Sequence, residues 1–337
     1  MKFPAFFLTG AAALVICAIP PAWAETVPDP AAAKQTAEPP HKESKAADGE
    51  KSDPVEKTDA AETSGYVRLA EDENSSRLEV AVAVFTLPDG RQVDLFGVVH
   101  MADASYYKEV DRRLGTYDAV LFELVGDPAS LQKRDTPLPD GTPPAKPHPL
   151  RGLQQGIGNV FHLAFQLDKI DYSRPNFVHA DATAGEFAKM QEERGESMMK
   201  LLMKSFQLSN DPAFLDKIGD ANNLGMADLV MLFYSKKTME RIKVIFARLL
   251  TQHESIMEGG LLEKDNAIIA GRNGVALKKL DEVLANPAKK RVAIFYGAGH
   301  MATMEQDLKE RLKATRTSGT WLPAWTMPPA AKPKPAK

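Results

Sequence analysis

Val93-Asp-Leu-Phe-Gly97-Val-Val-His100-Met-Ala-Asp-Ala104 stands near the front of the apolar part of this chain. Val292-Ala-Ile-Phe-Tyr-Gly297-Ala-Gly-His300-Met-Ala-Thr-Met304 stands near its end. Each is an apolar run, then Gly-x-x-His-Met-Ala, then a helix-like segment. The runs have the length and composition of strands. Asp103 and Thr303 fall where helix N-caps belong, and Thr303-x-x-Gln306 fits a capping box. Each copy therefore predicts a strand, a tight turn and a helix, with a histidine at the strand's C-terminal exit. In open α/β sheets ligands bind at that edge. The pair reads as two half-sites that bring His100 and His300 together. The expected fold class is α/β: a mixed sheet built from two related strand–Gly-x-x-His–helix halves, with a Met-rich helical layer between them.

The 337 residues suffice for one large domain or two small ones, and a hydrophobic content of 44% supports a real core. A net charge of -3 gives no reason to expect a nucleic-acid partner. Residues 1–24 read as a secretory signal peptide: Lys2 is the basic end, Ala5 to Ile19 the apolar stretch, and Ala22-Trp-Ala24 a small-x-small cleavage site. The rival reading is an uncleaved N-terminal membrane anchor; the apolar run is short for a span. The single cysteine, Cys17, lies in this leader, and Ile16 is too bulky for a lipoprotein box. A mature chain without cysteine has neither disulfides nor thiolate metal sites, so any metal must be held by His, Asp and Glu.

Residues 25–65 are rich in Pro, Ala, Lys, Glu and Asp and nearly free of large apolar side chains, as in a disordered linker. An α/β domain is expected over 66–327, with a helical insertion at about 185–260, and a disordered tail over 328–337. Leu78 to Thr86 alternates as a strand, Leu87-Pro-Asp-Gly90 is a turn signal, and Gln92 to Val99 is the next strand. A helix is predicted over Ala104–Leu114, a strand over Ala119–Leu124, a Pro-rich loop over 135–149 and a helix over Leu150–Leu167. Asn176–Asp181 reads as a short strand, followed by a cap-like Asp or Thr and a helix over Gly185–Glu193. Eight of the 13 methionines lie between Met190 and Met257. That stretch is read first as a packed helical layer and second as an adaptable apolar groove. A helix over Asp265–Leu284 and a last strand over Thr315–Met327 complete the domain.

The candidate chemistry is carried by His100, Glu123, His300, Arg272 and Asp181. A neutral imidazole binds a metal or accepts a proton, and a helix N-terminus beside each ring favours that form. Glu123 ends an apolar strand, where a carboxylate is costly unless paired or bound to metal. His100, Glu123 and His300 compose an open three-ligand site with a place for water, and a bound ion would activate that water for hydrolysis. Nitrogen and oxygen ligands do not choose among Mn, Co, Zn and Fe. Asp181 is open to three roles: helix cap, partner for a histidine, or ligand. Arg272 could hold an anion or the Glu123 carboxylate, or be a surface ion pair. There is no Gly-x-Ser-x-Gly, no His-Glu-x-x-His and no complete phosphate-binding fingerprint.

Gly97-Val-Val-His100, Leu121-Phe-Glu-Leu124, Arg272-Asn273 and Tyr296-Gly-Ala-Gly-His300, in this order, resemble the TraB/PrgY/GumN/TIKI family over roughly residues 78–326. The resemblance implies an α/β core of two related halves, wider kinship with erythromycin-esterase-like and ChaN-like folds, and, in TIKI-type members, metal-dependent proteolysis. It maps the family's catalytic pattern onto His100, Glu123 and His300, and a recurring position onto Arg272. The expectation is thus an exported, metal-dependent hydrolase, first of all a peptidase, periplasmic or secreted, with a peptide or protein substrate. No stable membrane span is expected after leader cleavage. The alternatives are a non-catalytic peptide-binding or regulatory protein and a haem- or iron-binding protein.

Overall fold

The computed structural model describes residues 65–132, 160–197, 234–252 and 265–329, with scattered positions between 199 and 232. The expected leader and linker up to residue 64, the expected Pro-rich loop over 135–149 and the chain beyond residue 329 lie outside the described residues. Among the described residues no helix is long and apolar enough to cross a membrane.

A mixed sheet forms the centre. Its strands are β1 (Val67–Glu71), β2 (Ser76–Thr86), β3 (Gln92–Val98), β5 (Ala119–Phe122), β7 (Phe177–His179), β8 (Arg291–Gly297) and β9 (Thr315–Met327). β9 pairs antiparallel along the whole of β2, while β1 and β3 take successive halves of its other edge. From β3 the order runs to β8, β5 and β7, and these four strands are parallel. The turn Leu87 to Arg91 that links β2 to β3 uses Gly90 at φ 84°, a left-handed conformation that suits glycine. β3 and β8 are buried on both faces, which is why their sequences are near-continuous apolar runs rather than alternating ones. Phe96 and Phe295, opposite each other in register, meet edge to face at 5.9 Å.

The two Gly-x-x-His copies sit on neighbouring strands, with Val98 opposite Gly297. Their exits differ. After β8 the chain makes one 3-10 turn, Ala298–His300, and enters the helix Met301–Arg311 directly. After β3 it passes His100 and forms β4 (Met101–Ala102), which pairs antiparallel with β6 (Ala164–Phe165) before the helix α1 (Ala104–Leu114) begins. Of the expected 150–167 helix the described residues keep Val160 and Phe161 helical; the chain then turns at His162 into β6 and a 3-10 turn, Gln166–Asp168. Asp103 does precede α1, yet its side chain caps nothing there and instead accepts from the Thr326 amide at 2.7 Å, tying α1 to β9. Thr303 lies inside the last helix, whose N-cap position is His300, so the capping box expected at Thr303 and Gln306 is absent. A true capping box starts α2 (Ala184–Glu193), between Thr183 and Glu186.

In the Met-rich region the described helices are α3 (Met226–Met231) and α4 (Lys236–Thr251). α4 buries Ile242, Ile245, Phe246, Leu249 and Leu250 at helical spacing. Met199, Met203 and Met231 are exposed, so packing into a layer does not account for all of these methionines. Two further helices follow, α5 (Arg272–Leu284) and α6 (Met301–Arg311). α5 is preceded by a π turn, Ala267–Gly271, in which the Gly271 amide bonds the Asn266 carbonyl at 2.9 Å.

Gly97 is closely packed in the sheet: an added Cβ would stand 3.1 Å from the Ala81 carbonyl oxygen and 3.1 Å from Val80 Cγ1. Gly97→Ala is expected to cost about 1–3 kcal/mol through overpacking, read from the midpoint of chemical denaturation. At Gly185, in the first turn of α2, an added Cβ meets nothing within 4 Å. Gly185→Ala is expected to be neutral or stabilising by about 0.5 kcal/mol. Equal stabilities for the two variants would contradict this packing.

Candidate functional site

Because β3, β8, β5 and β7 are parallel, their C-terminal exits reach one edge of the sheet. His100 lies two residues beyond β3 and His300 three beyond β8. Glu123 directly follows β5, its amide still in the ladder to the Phe295 carbonyl at 3.2 Å. Asp181 lies two residues beyond β7, after an Ala180 amide that bonds the Phe122 carbonyl. The π turn before α5 brings Arg272 and Asn273 to the same edge as adjacent residues of a helix start. π turns recur at functional sites because the extra residue re-aims the side chains that follow.

Arg272 is the centre of the cluster, with 1% of it exposed. Its Nε donates to Asp181 Oδ1 at 2.9 Å and its Nη2 to Asp181 Oδ2 at 2.6 Å, a two-pronged pair. Nη2 also donates to Glu123 Oε1 at 2.5 Å. Burial alone would lower the guanidinium's pKa; the charges of Asp181 and then Glu123 more than reverse this and hold it above its usual value. Backbone amides complete the carboxylates: Gly297 donates to Glu123 Oε2 at 2.6 Å, and Ala182 to Asp181 Oδ1 at 2.7 Å. Tyr296 donates its hydroxyl to the Ala180 carbonyl, and burial holds its phenol well above the usual range.

His300 is fully buried against this group. Its Nε2 is 3.5 Å from Glu123 Oε1 and 3.5 Å from Arg272 Nη1, and its Nδ1 is 2.6 Å from Asn273 Oδ1. His100 arrives from β3, and its Nδ1 is 2.8 Å from Gln166 Oε1. His100 Nε2 is buried and has no hydrogen-bond partner.

Arg272 thus touches Asp181, Glu123 and His300, Glu123 also lies against His300, and His100 stands at the same edge. The roles left open by the sequence narrow accordingly. Asp181 is not the cap of α2, which is Thr183; it is a buried carboxylate of Arg272. Arg272 is no surface pair, and it holds two carboxylates rather than one. His179 points elsewhere and bonds the Leu124 carbonyl at 2.7 Å. Gln166 was hidden in a stretch read as helix. Asn273 shows in the sequence only as the neighbour of Arg272, and that side-by-side pair is its one signal.

The three-ligand set does not fit as placed. Among the described residues no group of three or more His, Cys, Asp or Glu side chains could hold a metal ion. Both Glu123 oxygens are occupied, by Arg272 and by the Gly297 amide.

No family model, curated protein or solved structure matches this chain.

A surface groove of about 410 Å³, lined by Leu87, Arg91, Asp281 and Leu284 among others, lies at the opposite end of β3, away from these residues. Replacing the buried cation tests the cluster. Arg272→Leu strands two buried carboxylates and is expected to cost about 3–5 kcal/mol in denaturant titration. Arg272→Lys keeps a charge but loses the planar fork, and is expected to fall between wild type and Arg272→Leu. A loss below about 1 kcal/mol for Arg272→Leu would contradict the pairing.

Proposed function

We propose that this chain is an exported hydrolase acting on peptide bonds, with its reacting centre at the edge from which His100, Glu123 and His300 project. The observation that carries the reading is His100 Nε2, a buried ring nitrogen with no partner. Leaving such a group unmet costs about 1–3 kcal/mol, a cost a fold tolerates where the nitrogen is to meet a reactant. His100 then acts as the acid–base group: its Nε2 takes a proton from the attacking water and passes that same proton to the leaving nitrogen, while His300 stands against Arg272 and Glu123. Asp181 and Glu123 hold Arg272, whose positive charge beside His300 favours an oxygen that gains negative charge.

Because Glu123 is engaged by Arg272 and Gly297, these steps use the side chains alone. Whether Mn, Co, Zn or Fe adds to them is read by the chelator arm of the test below. Kinship with the TraB/PrgY/GumN/TIKI family, descent of the sheet from two related halves, and a periplasmic or secreted location belong to the same proposal. Support for the two halves comes from β3 and β8 lying side by side and parallel, each leading to Gly-x-x-His.

A second reading, a non-catalytic peptide-binding protein, is favoured by exposed Met199, Met203, Val230, Met231 and Tyr234. Incubating the purified chain with a mixed peptide library, with and without each metal and chelator, separates the two by mass spectrometry. Cleavage is expected, reduced at least about 100-fold in His100→Ala and in His300→Ala. Saturable peptide binding without cleavage under every condition would overturn the hydrolase and leave the binding protein.

A further inference from the structure

We propose that Gln166 and Asn273 are matched positioning residues: each accepts the Nδ1 proton of one site histidine and so leaves Nε2 as the unprotonated nitrogen of both rings. The purpose of this device, though not its geometry, rests on the hydrolase reading.

The assignment at His300 follows from what each atom can do. Asn273 Nδ2 lies 3.3 Å from the His300 carbonyl oxygen. A carbonyl only accepts, so the amide nitrogen must face it and the amide oxygen must face the ring. That oxygen is 2.6 Å from Nδ1, which must therefore carry the proton. On the ring's other side Nε2 lies 3.5 Å from Arg272 Nη1, which donates, and 3.5 Å from Glu123 Oε1, which accepts, so the shorter Asn273 contact makes the selection.

His100 repeats the arrangement with unrelated residues. Gln166 Nε2 donates to the Tyr172 hydroxyl at 2.9 Å, and with the amide in that orientation Oε1 lies 2.8 Å from His100 Nδ1. The Gln166 amide also bonds the His100 carbonyl at 3.0 Å. The small β4–β6 ladder, Met101 opposite Phe165, is what sets Gln166 alongside His100. His179, outside the cluster, shows the reverse. Its Nε2 bonds the Leu124 carbonyl, so there Nε2 carries the proton.

The tautomer matters because only the lone-pair nitrogen of a neutral imidazole accepts a proton or ligates an ion, and a hydrogen bond at the other nitrogen selects which one that is. An uncharged amide makes the selection without adding a further negative charge to a cluster that already holds two carboxylates on one guanidinium.

The test is nitrogen-15 NMR of the full chain labelled at histidine, at a pH where the rings are neutral. The expected result is Nδ1–H for His100 and His300 and Nε2–H for His179. Gln166→Leu is expected to move His100 toward the reverse tautomer and to lower kcat about 10–100-fold with little change in KM. Gln166→Glu, whose carboxylate still accepts, is expected to restore the tautomer. Nε2–H on His100 or His300 in the wild type overturns the proposal even in a chain that cleaves peptides. So does a His100 tautomer unmoved by Gln166→Leu. Nδ1–H on both rings supports it even in a chain that cleaves nothing, which would count against the hydrolase alone.

Discussion

A guanidinium almost out of reach of water, gripped by two carboxylates from different strands, is the constraint on which the rest depends. Arg272 cannot be buried alone, and neither can Asp181 or Glu123. Each becomes tolerable only when β5, β7 and the start of α5 are in place together. The parallel order β3–β8–β5–β7 puts these exits on one edge, and the π turn before α5 delivers Arg272 to them. Such a pair contributes little net stability, since desolvation offsets attraction. Its consequence is positional: strands, helix start and charges agree on one arrangement.

The two histidines fit into that frame from different directions. His300 is held from behind by Asn273, the residue after Arg272, so the same helix start supplies both the cation and the orienting amide. His100 depends on a separate device, the β4–β6 ladder with Gln166 and Tyr172. The similarity of the two Gly-x-x-His stretches therefore ends at the rings. Their partners come from unlike elements, and the turns that follow the strands differ.

Much of the sheet could be read from the chain. Residues of β2, β3, β8 and β9 carry their pattern locally, in alternation, in continuous apolar runs and in the Leu87-Pro-Asp-Gly90 turn. The site's members at strand exits, His100, Glu123 and His300, were legible because a polar residue closing an apolar run is conspicuous. Asp181 was ambiguous because Asp and Thr both cap helices, and only the fold shows that Thr183 does so while Asp181 turns to Arg272. Gln166 left no local trace; its role depends on a two-residue pairing with a segment more than sixty positions earlier. Thr303 misled because a cap signal one turn inside a helix looks the same in sequence as one at its start. That both Glu123 oxygens accept hydrogen bonds, from Arg272 and the Gly297 amide, is something no spacing encodes.

The claim that the cluster is one charge-coupled unit is tested most directly by a double-mutant cycle on Arg272→Leu and Asp181→Asn, read by chemical denaturation. The account predicts a coupling energy above about 2 kcal/mol, because the second substitution removes a charge that the first has stranded. Additivity within about 0.5 kcal/mol would contradict it, since it would mean that the two side chains act independently.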